Sequence, residues 1–421
     1  MNTDYFARQM MVLSPEASNM IRNIRILVVG AGAGGNEVLK NLLLMGFGNI
    51  TIIDFDHVED SNLSRTTLFR KEDIGKSKAL VAAERLTEMA LHDKPNIRGI
   101  HGNLMTDVGK HIFWEHDIVI CCVDTQKARA YINDWCVRSN TPFFEMGFKD
   151  FNVNITFFAP EGGMVQTDGK QIEKLPSDNG FFPVLKGKFP VCLRELIGFG
   201  NFEERRNSCS GYKVKDVNLA KIPTIQVAAA MAGVLVATEL VKYLDGKDSL
   251  KNKMLMFYGL RYGMEVFEFN RTPDCSIYDE MIEDIKPINV SPTTTLKELL
   301  ESVAKELNTE DILLILPEKY IISGHCHCCD KEIIYKKRIS LMVDEERWCE
   351  DCRRNYPDYE SQLIYPKQTI EVPEEISLGS DDDILMKTLS DAGIPSNDVI
   401  KVKERLPGDE FKFYFITNQL S

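Results

Sequence analysis

Ile24-Arg-Ile-Leu-Val-Val-Gly30-Ala-Gly32-Ala-Gly34-Gly35 decides the fold of the larger part of this 421-residue chain. Ile24–Val29 is a nearly continuous apolar run, the pattern of a strand buried on both faces of a parallel sheet. Gly30, Gly32 and Gly35 follow in G-x-G-x-x-G spacing. Glycines there allow a tight turn and let backbone N–H groups approach phosphate oxygens at a helix N-terminus. Asn36–Met45 then has helical spacing, and Ile50–Ile53 is a second buried strand ending at Asp54. An acid at that distance is suited to ribose hydroxyls. Taken alone, the pattern fits NAD or FAD at least as well as ATP.

Outward from this stretch, strand and helix patterns alternate. A helix is expected near Ser77–Ala90, a third buried strand at Asp117–Val123, and a helix at Gln126–Ser139. Such alternation implies an α/β fold with a doubly wound, Rossmann-like sheet. Thr141–Phe158 reads as antiparallel strands, residues 161–221 as a Gly-, Pro- and charge-rich excursion, and Ile222–Leu244 as the last large helix. Strands are expected at Lys253–Tyr258 and Glu265–Asn270, closing a domain over residues 1–272. Residues 285–421 read as a separate, smaller α+β domain. Its expected elements are Ile288–Val290, Leu296–Leu307, Ile312–Leu316, Thr369–Val372, a helix at Asp381–Ala392, Val399–Lys403 and Phe411–Ile416.

The net charge of −13 argues against a generic nucleic-acid or anionic-membrane binder, because phosphate surfaces select an excess of Lys and Arg. Ile222–Leu244 is interrupted by Gln226, Glu239 and Lys242, which favours a buried helix over a membrane span. The first ten residues lack the basic and apolar regions of a secretory signal, and eleven cysteines in such a chain point to reduced thiols or metal ligands. A cytoplasmic setting is the expectation.

The polar stretch after the second strand narrows the nucleotide. Asp54-Phe-Asp56-His-Val-Glu59-Asp-Ser61-Asn62-Leu63-Ser-Arg65 is followed by Asp73-Ile-Gly75-Lys76-Ser-Lys78. Breaking the α–β bond of ATP requires neutralising a triphosphate and the leaving pyrophosphate, work suited to Arg65 and Lys78. Asp124, at the end of the third expected strand, is placed to hold Mg²⁺ at the ligand-binding edge of the sheet.

These motifs together resemble the adenylation domain shared by ubiquitin-activating enzymes and the sulfur-carrier adenylyltransferases of thiamine and molybdopterin synthesis. Tyr5-Phe-Ala-Arg8-Gln9 resembles that family's N-terminal arginine motif. Gly30–Gly35, Asp54-Phe-Asp56, Ser61-Asn62-Leu63-Ser64-Arg65, Gly75-Lys-Ser-Lys78-Ala and Cys122-Val-Asp124 resemble its later motifs in the same order. Thr125 departs from the pattern, standing where the family usually has Asn. The resemblance implies that Asp54 holds the ribose, that Asn62, Arg65 and Lys78 bind phosphates, and that Asp124 binds Mg²⁺. It also implies that Arg8 reaches the site of a second copy, hence a homodimer. The implied partner is a ubiquitin-like or sulfur-carrier protein whose C-terminal carboxylate attacks the ATP α-phosphate.

Two cysteines of the excursion compete for a nucleophile's role. Cys209 follows Arg205-Arg206 and Cys192 lies between Lys188 and Arg194, cationic settings that favour thiolate. Both are expected on loops. The resemblance favours Cys209, although Phe189-Pro-Val-Cys192 is also similar to the active-cysteine motif of larger activating enzymes. Cys121, Cys122 and Cys136 read as packing residues. Cys275 lacks the second cysteine of a C-x-x-C. Further on, Cys326-x-x-Cys329 and Cys349-x-x-Cys352 are separated by nineteen residues. That spacing predicts a structural four-cysteine Zn²⁺ site in a module over residues 324–354, with Tyr335–Val343 as the intervening hairpin. Cys328, His325 and His327 are alternative ligands. The surrounding pattern is weakly similar to the ubiquitin-fold domain with which larger activating enzymes recruit a conjugating enzyme. Three classes compete: a thioester-forming activating enzyme, a sulfur-carrier adenylyltransferase, and an inactive homologue or NAD-binding oxidoreductase. The extra C-terminal domain favours the first over the second, and Arg8, Arg65, Lys78 and Asp124 argue against the third.

Overall fold

Ser14 opens the first α-helix. Its hydroxyl caps α1 (Pro15–Asn23) by accepting from the Ala17 N–H, and proline occupies the first helical turn. The computed structural model describes residues 5–91, 94–161, 189–194, 225–271, 277, 282, 285–291, 293–316, 320–326, 329, 331–338, 368–371, 375–380, 382–395, 398–404 and 411–418. The chain divides into two compact units. The first comprises Met1–Met105 and Ile112–Glu283; the second comprises Thr106–His111 and Asp284–Ser421.

The first unit is built on an eight-stranded sheet. Its elements are β1 (Arg25–Val29), α2 (Ala33–Leu44), β2 (Asn49–Asp54), α3 (Lys78–Met89), β3 (Asn96–His101), α4 (Ile112–Glu115), β4 (Ile118–Cys121), α5 (Gln126–Arg138), β5 (Phe143–Lys149), β6 (Asn152–Phe158), α6 (Gln226–Leu244), β7 (Lys253–Tyr258) and β8 (Gly263–Glu268). The strand order is β3-β2-β1-β4-β5-β6-β7-β8. The first five strands in that order are parallel, and β5 to β8 run antiparallel. β1 lies between β2 and β4, so the connections leaving it diverge to opposite sides. That topological switch opens a crevice at the strands' C-terminal ends.

The expected α/β sheet is present, with two local differences. α2 begins at Ala33, inside the glycine stretch, so the turn itself is only Gly30–Gly32. β3 has no counterpart in the sequence reading. It is an edge strand of alternating exposure that contains Arg98 and Gly99, and its pattern is therefore weak. A Cβ at Gly99 would lie 2.4 Å from the Ala79 carbonyl oxygen, so the glycine marks where α3 crosses closely.

α6 is long and apolar enough to cross a membrane by length and composition. Its residues Ala228, Ala229, Ala232, Gly233, Val236 and Leu240 are buried, and it packs against α2, β5 and β6. Glu239, buried on the same helix, accepts from the Leu250 N–H at 2.7 Å and pairs with Lys242. A charge satisfied within the protein in this way belongs to a core helix.

The second unit contains β9 (Ile285–Val290), α7 (Leu296–Leu307), β10 (Ile312–Ile315), β11 (Tyr320–Cys326), β12 (Glu332–Arg338), β13 (Gln368–Glu371), β14 (Glu375–Ile376), α8 (Asp382–Leu385), β15 (Val399–Glu404) and β16 (Phe411–Asn418). Five strands form a mixed sheet in the order β14-β10-β15-β16-β9, and β12-β11-β13 form a second, antiparallel sheet. α7 has a Thr295/Glu298 capping box and buries Leu296, Leu299, Leu300 and Val303 in the core. The expected helix at Asp381–Ala392 is only α8. Beyond it the Leu389 N–H donates to the Thr294 carbonyl and the Lys387 carbonyl accepts from Leu296, so the backbone pairs with the start of α7 instead of continuing its own spiral. β11 and β12 form a hairpin with Cys329 in its turn; of the expected Tyr335–Val343 hairpin, Tyr335–Arg338 lie in β12 and residues 339–343 lie outside the described residues.

Candidate nucleotide site

Gly30 carries φ +97°, and a Cβ there would sit 2.6 Å from the Cys122 carbonyl oxygen. Only glycine accommodates both the left-handed backbone and that approach of β4's end. A Cβ on Gly35 would lie 2.0 Å from the Gly30 carbonyl oxygen, so this third glycine seats α2 against the turn. Gly32 differs: a Cβ there meets nothing within 4 Å, because it faces open space. Buried Asn36 holds the turn from inside α2. Its Nδ2 donates to the Ala31 and Gly32 carbonyls at 2.7 and 3.1 Å, and its Oδ1 accepts from the Leu68 N–H at 2.9 Å.

Above the turn lies a cavity of about 460 Å³ at the sheet's C-terminal edge. Gly30, Gly32, Asp54, Asp56, Asn62, Arg65, Lys78 and Asp124 all line it. The structure therefore gathers the sequence-predicted nucleotide residues, apart from Gly35 and Arg8, around one space. Gly35 sits beneath the turn. Arg8 lies exposed in the N-terminal turns and does not line the cavity.

Asp54 ends β2 and accepts from the Ala31 and Asp56 N–H groups, each at 2.7 Å. Burial pushes its carboxyl above the usual carboxylate range, against the pull of those two N–H groups and of Lys78. Lys78 begins α3, where Ser77 is the cap, and its ammonium bonds Asp56 at 2.8 Å. The loop is held in place by its backbone. Val58 donates to Lys76, Gly75 to Val58 and Lys78 to Asp56, with Gly75 at φ +84° making the turn. Arg65 is half-buried and donates to the Ser61 carbonyl at 2.6 Å. Asn62 accepts from the Glu59 N–H at 3.0 Å, which ties this single 3-10 turn together. Two cations, a cradle of glycine backbone and a terminal acid on β2 suit a nucleoside triphosphate.

Asp124 is exposed just past β4. Among the described residues, no group of three or more His, Cys, Asp and Glu side chains is placed to hold a metal. Asp124 on the wall of this cavity still has the chemistry to suit Mg²⁺, which commonly takes one or two carboxylates and completes its shell from ligand oxygens and water.

Gly102, Asn103, Leu104, Met105 and Phe148 also line the cavity and were not singled out by the sequence. The first four follow β3, whose own pattern is weak, and Phe148 arrives from β5 through the fold.

Cys192 is fully buried. The expectation of a nucleophile accessible on a loop fails for it, because Phe189, Val191 and Leu193 bury with it as an apolar segment and the Leu193 N–H bonds Asn133. Cys121 and Cys136 are buried packing residues, as expected. Cys122 is half-buried on the cavity wall, and burial, reinforced by Cys121, pushes its thiol up, away from thiolate. Cys209, Cys275, Cys349 and Cys352 lie outside the described residues. Of the expected zinc ligands, Cys326 ends β11 and Cys329 is exposed in the following turn.

A model of the ThiF family matches residues 6–277. SUMO-activating enzyme subunit 2 of Dictyostelium discoideum is 38% identical over 146 residues, which is 34% of this chain and 22% of that protein. NEDD8-activating enzyme E1 catalytic subunit of Caenorhabditis elegans is 41% identical over 122 residues, 29% of this chain and 28% of that protein. The matches thus span about a quarter of the length of these curated relatives. A crystal structure of E. coli MccB with AMPCPP and MccA aligns over 66% of this chain and 74% of that one, with 18% identity and a TM-score of 0.48.

Proposed function

The chain belongs to the ThiF family, and from that premise we propose that it uses ATP to adenylate the C-terminus of a ubiquitin-like protein and then takes the acyl group onto Cys209 as a thioester. The observation that carries the reading is the convergence of Gly30, Gly32, Asp54, Asp56, Asn62, Arg65, Lys78 and Asp124 on one cavity. In the first step a carboxylate oxygen of the carrier bonds to the α-phosphorus and the bond to the pyrophosphate oxygen breaks. A carboxylate needs no general base, so the protein's work is alignment and charge stabilisation. Asp54 orients the ribose, the glycine turn and Asn62 hold phosphate oxygens, and Arg65 and Lys78 neutralise the leaving pyrophosphate. Mg²⁺ held by Asp124 would add positive charge at the phosphates. Arg8, exposed near the N-terminus, would complete the site of a second copy in a homodimer. In the second step the Cys209 thiolate attacks the acyl carbon and AMP leaves. The acyl group then passes to a conjugating partner. Zn²⁺ bound by Cys326, Cys329, Cys349 and Cys352 would brace the β11–β12 hairpin of the second unit.

Intact-protein mass spectrometry tests this after incubation with ATP, Mg²⁺ and candidate ubiquitin-like carriers, alongside ATP–pyrophosphate exchange. Wild type is expected to exchange, and Lys78→Ala to lose about 100- to 1000-fold. A reductant-sensitive enzyme–carrier adduct is expected in wild type and Cys192→Ala and not in Cys209→Ala. Adenylated carrier without any adduct would replace the thioester reading with a sulfur-carrier adenylyltransferase. No exchange with any carrier would sink both.

A further inference from the structure

Behind the cavity wall, a buried guanidinium grips the backbone that carries Asp124. β4 makes its last ladder pairs at Cys121, with Val29 on one side and Glu145 on the other. The chain then leaves the sheet through Cys122 and Val123, reaches Asp124, and enters α5 under the Thr125 cap. Arg129, in the first part of α5, is 4% exposed and does not line the cavity. Its Nη2 donates to the Val123 carbonyl at 2.6 Å and its Nη1 to the Met146 carbonyl at 3.0 Å. Glu145, also buried, forms its ion pair. One planar cation therefore joins the residue before Asp124 to β5, whose Phe148 lies on the same cavity wall.

A buried charge pair costs desolvation that apolar packing of similar volume avoids, so its value lies in the geometry it imposes. Two directed N–H donors in one rigid plane fix a position that a single ammonium does not. The Val123 carbonyl lies beyond the strand ladder, and Arg129 supplies it with a donor. The free segment after β4 is thereby held at the residue next to the proposed metal-binding carboxylate.

We propose that Arg129, braced by Glu145, is a positioning residue that aims Asp124 at the metal of a metal–nucleoside triphosphate without touching the nucleotide. The inference rests on the reading of the cavity as an ATP site. Supporting groups of this kind change metal affinity by roughly 10- to 100-fold when lost.

The test is calorimetric binding of a non-hydrolysable ATP analogue to the full chain, with Mg²⁺ and with EDTA. Wild type, Asp124→Asn, Arg129→Lys and Glu145→Gln are compared, with thermal unfolding of each free protein to establish folding. Wild type should bind more tightly with Mg²⁺. Arg129→Lys should lose on the order of tenfold of that gain while its metal-free binding stays close to wild type. Asp124→Asn should show the same signature, and Glu145→Gln a weaker one. Should Arg129→Lys fail to fold, Glu145→Gln decides alone. An undiminished Mg²⁺ gain in the variants, or equal weakening with and without metal, overturns the inference. Absence of binding by wild type both with Mg²⁺ and with EDTA overturns the nucleotide reading, and the inference with it.

Discussion

His116 shows how a single residue in the first unit ties stability to pH. Its Nδ1 lies 2.8 Å from the Ile112 carbonyl, which can only accept, so Nδ1 carries the proton. Nε2 then accepts from the Thr51 hydroxyl at 2.8 Å, and the same hydroxyl oxygen accepts from Arg98 Nε at 2.9 Å. The ring is thus satisfied in its neutral form. Burial lowers its pKa to about 4 from an ordinary 6.5, with Arg98 opposing a second cation nearby. Between those values the unfolded chain binds the proton that the folded chain refuses. This contribution is constant above pH 6.5 and is lost as pH falls toward 4, the loss amounting to roughly 3 kcal/mol. Chemical denaturation across that range should show a steeper loss for wild type than for His116→Gln, whose amide can donate and accept in the same directions without titrating. Parallel pH dependences would refute the assignment.

At the scale of elements, the strand–turn–helix around Gly30 assigns different work to glycines that look alike in sequence. Gly35→Ala drives a Cβ to within 2.0 Å of the Gly30 carbonyl oxygen, and α2 must shift away from β1. About 1–3 kcal/mol of stability should be lost, together with nucleotide affinity. Gly32 has ordinary backbone angles, φ −70° and ψ −160°, and open space at its Cβ. Gly32→Ala should leave thermal unfolding unchanged and still weaken nucleotide binding, because the added methyl occupies the cradle. Thermal melts with and without ATP separate the two; a destabilised Gly32→Ala would contradict the cradle geometry. These motifs were legible because each is local. A buried strand and its glycines are contiguous, the acid ends the very next strand, Asn62 and Arg65 share one short turn, and Lys78 adjoins its Ser77 cap. The wall from Gly102 to Met105 was not legible, because it depends on an edge strand in which Arg98 and Gly99 break the alternating pattern. Phe148 reaches the cavity only through the packing of β5, and Arg129 comes to lie behind its wall only through that of α5. The same limit explains α8: the residues after Leu385 have helical spacing, but pairing with Thr294 and Leu296 competes for their backbone groups.

At the scale of the whole chain, the boundary between units is not a single cut. Thr106–His111 belongs to the second unit although the sequence on either side belongs to the first. Nothing local to residues 106–111 marks them as part of the second unit. A buried ion pair spanning 288 positions joins the segment to that unit. Lys110 donates to Asp398 through both its backbone N–H, at 2.7 Å, and its ammonium, at 2.6 Å. Asp398 is fully buried immediately before β15, and its own carbonyl accepts from the Ile416 N–H of β16. Removing one member strands the other charge in the core, at a cost of about 3–5 kcal/mol, whereas replacing both with apolar residues of similar size can be nearly neutral. Asp398→Ala and Lys110→Met should therefore each destabilise the second unit, and Lys110→Met combined with Asp398→Leu should recover the part due to the stranded charge, leaving the cost of the residue-110 N–H without its acceptor. Hydrogen exchange of β15 and β16 in the full chain reads this directly: protection should fall in each single variant and return in part in the double. Equal protection in wild type and both single variants would mean that Lys110 is dispensable to the second unit, and that the segment is held there by its apolar neighbours alone.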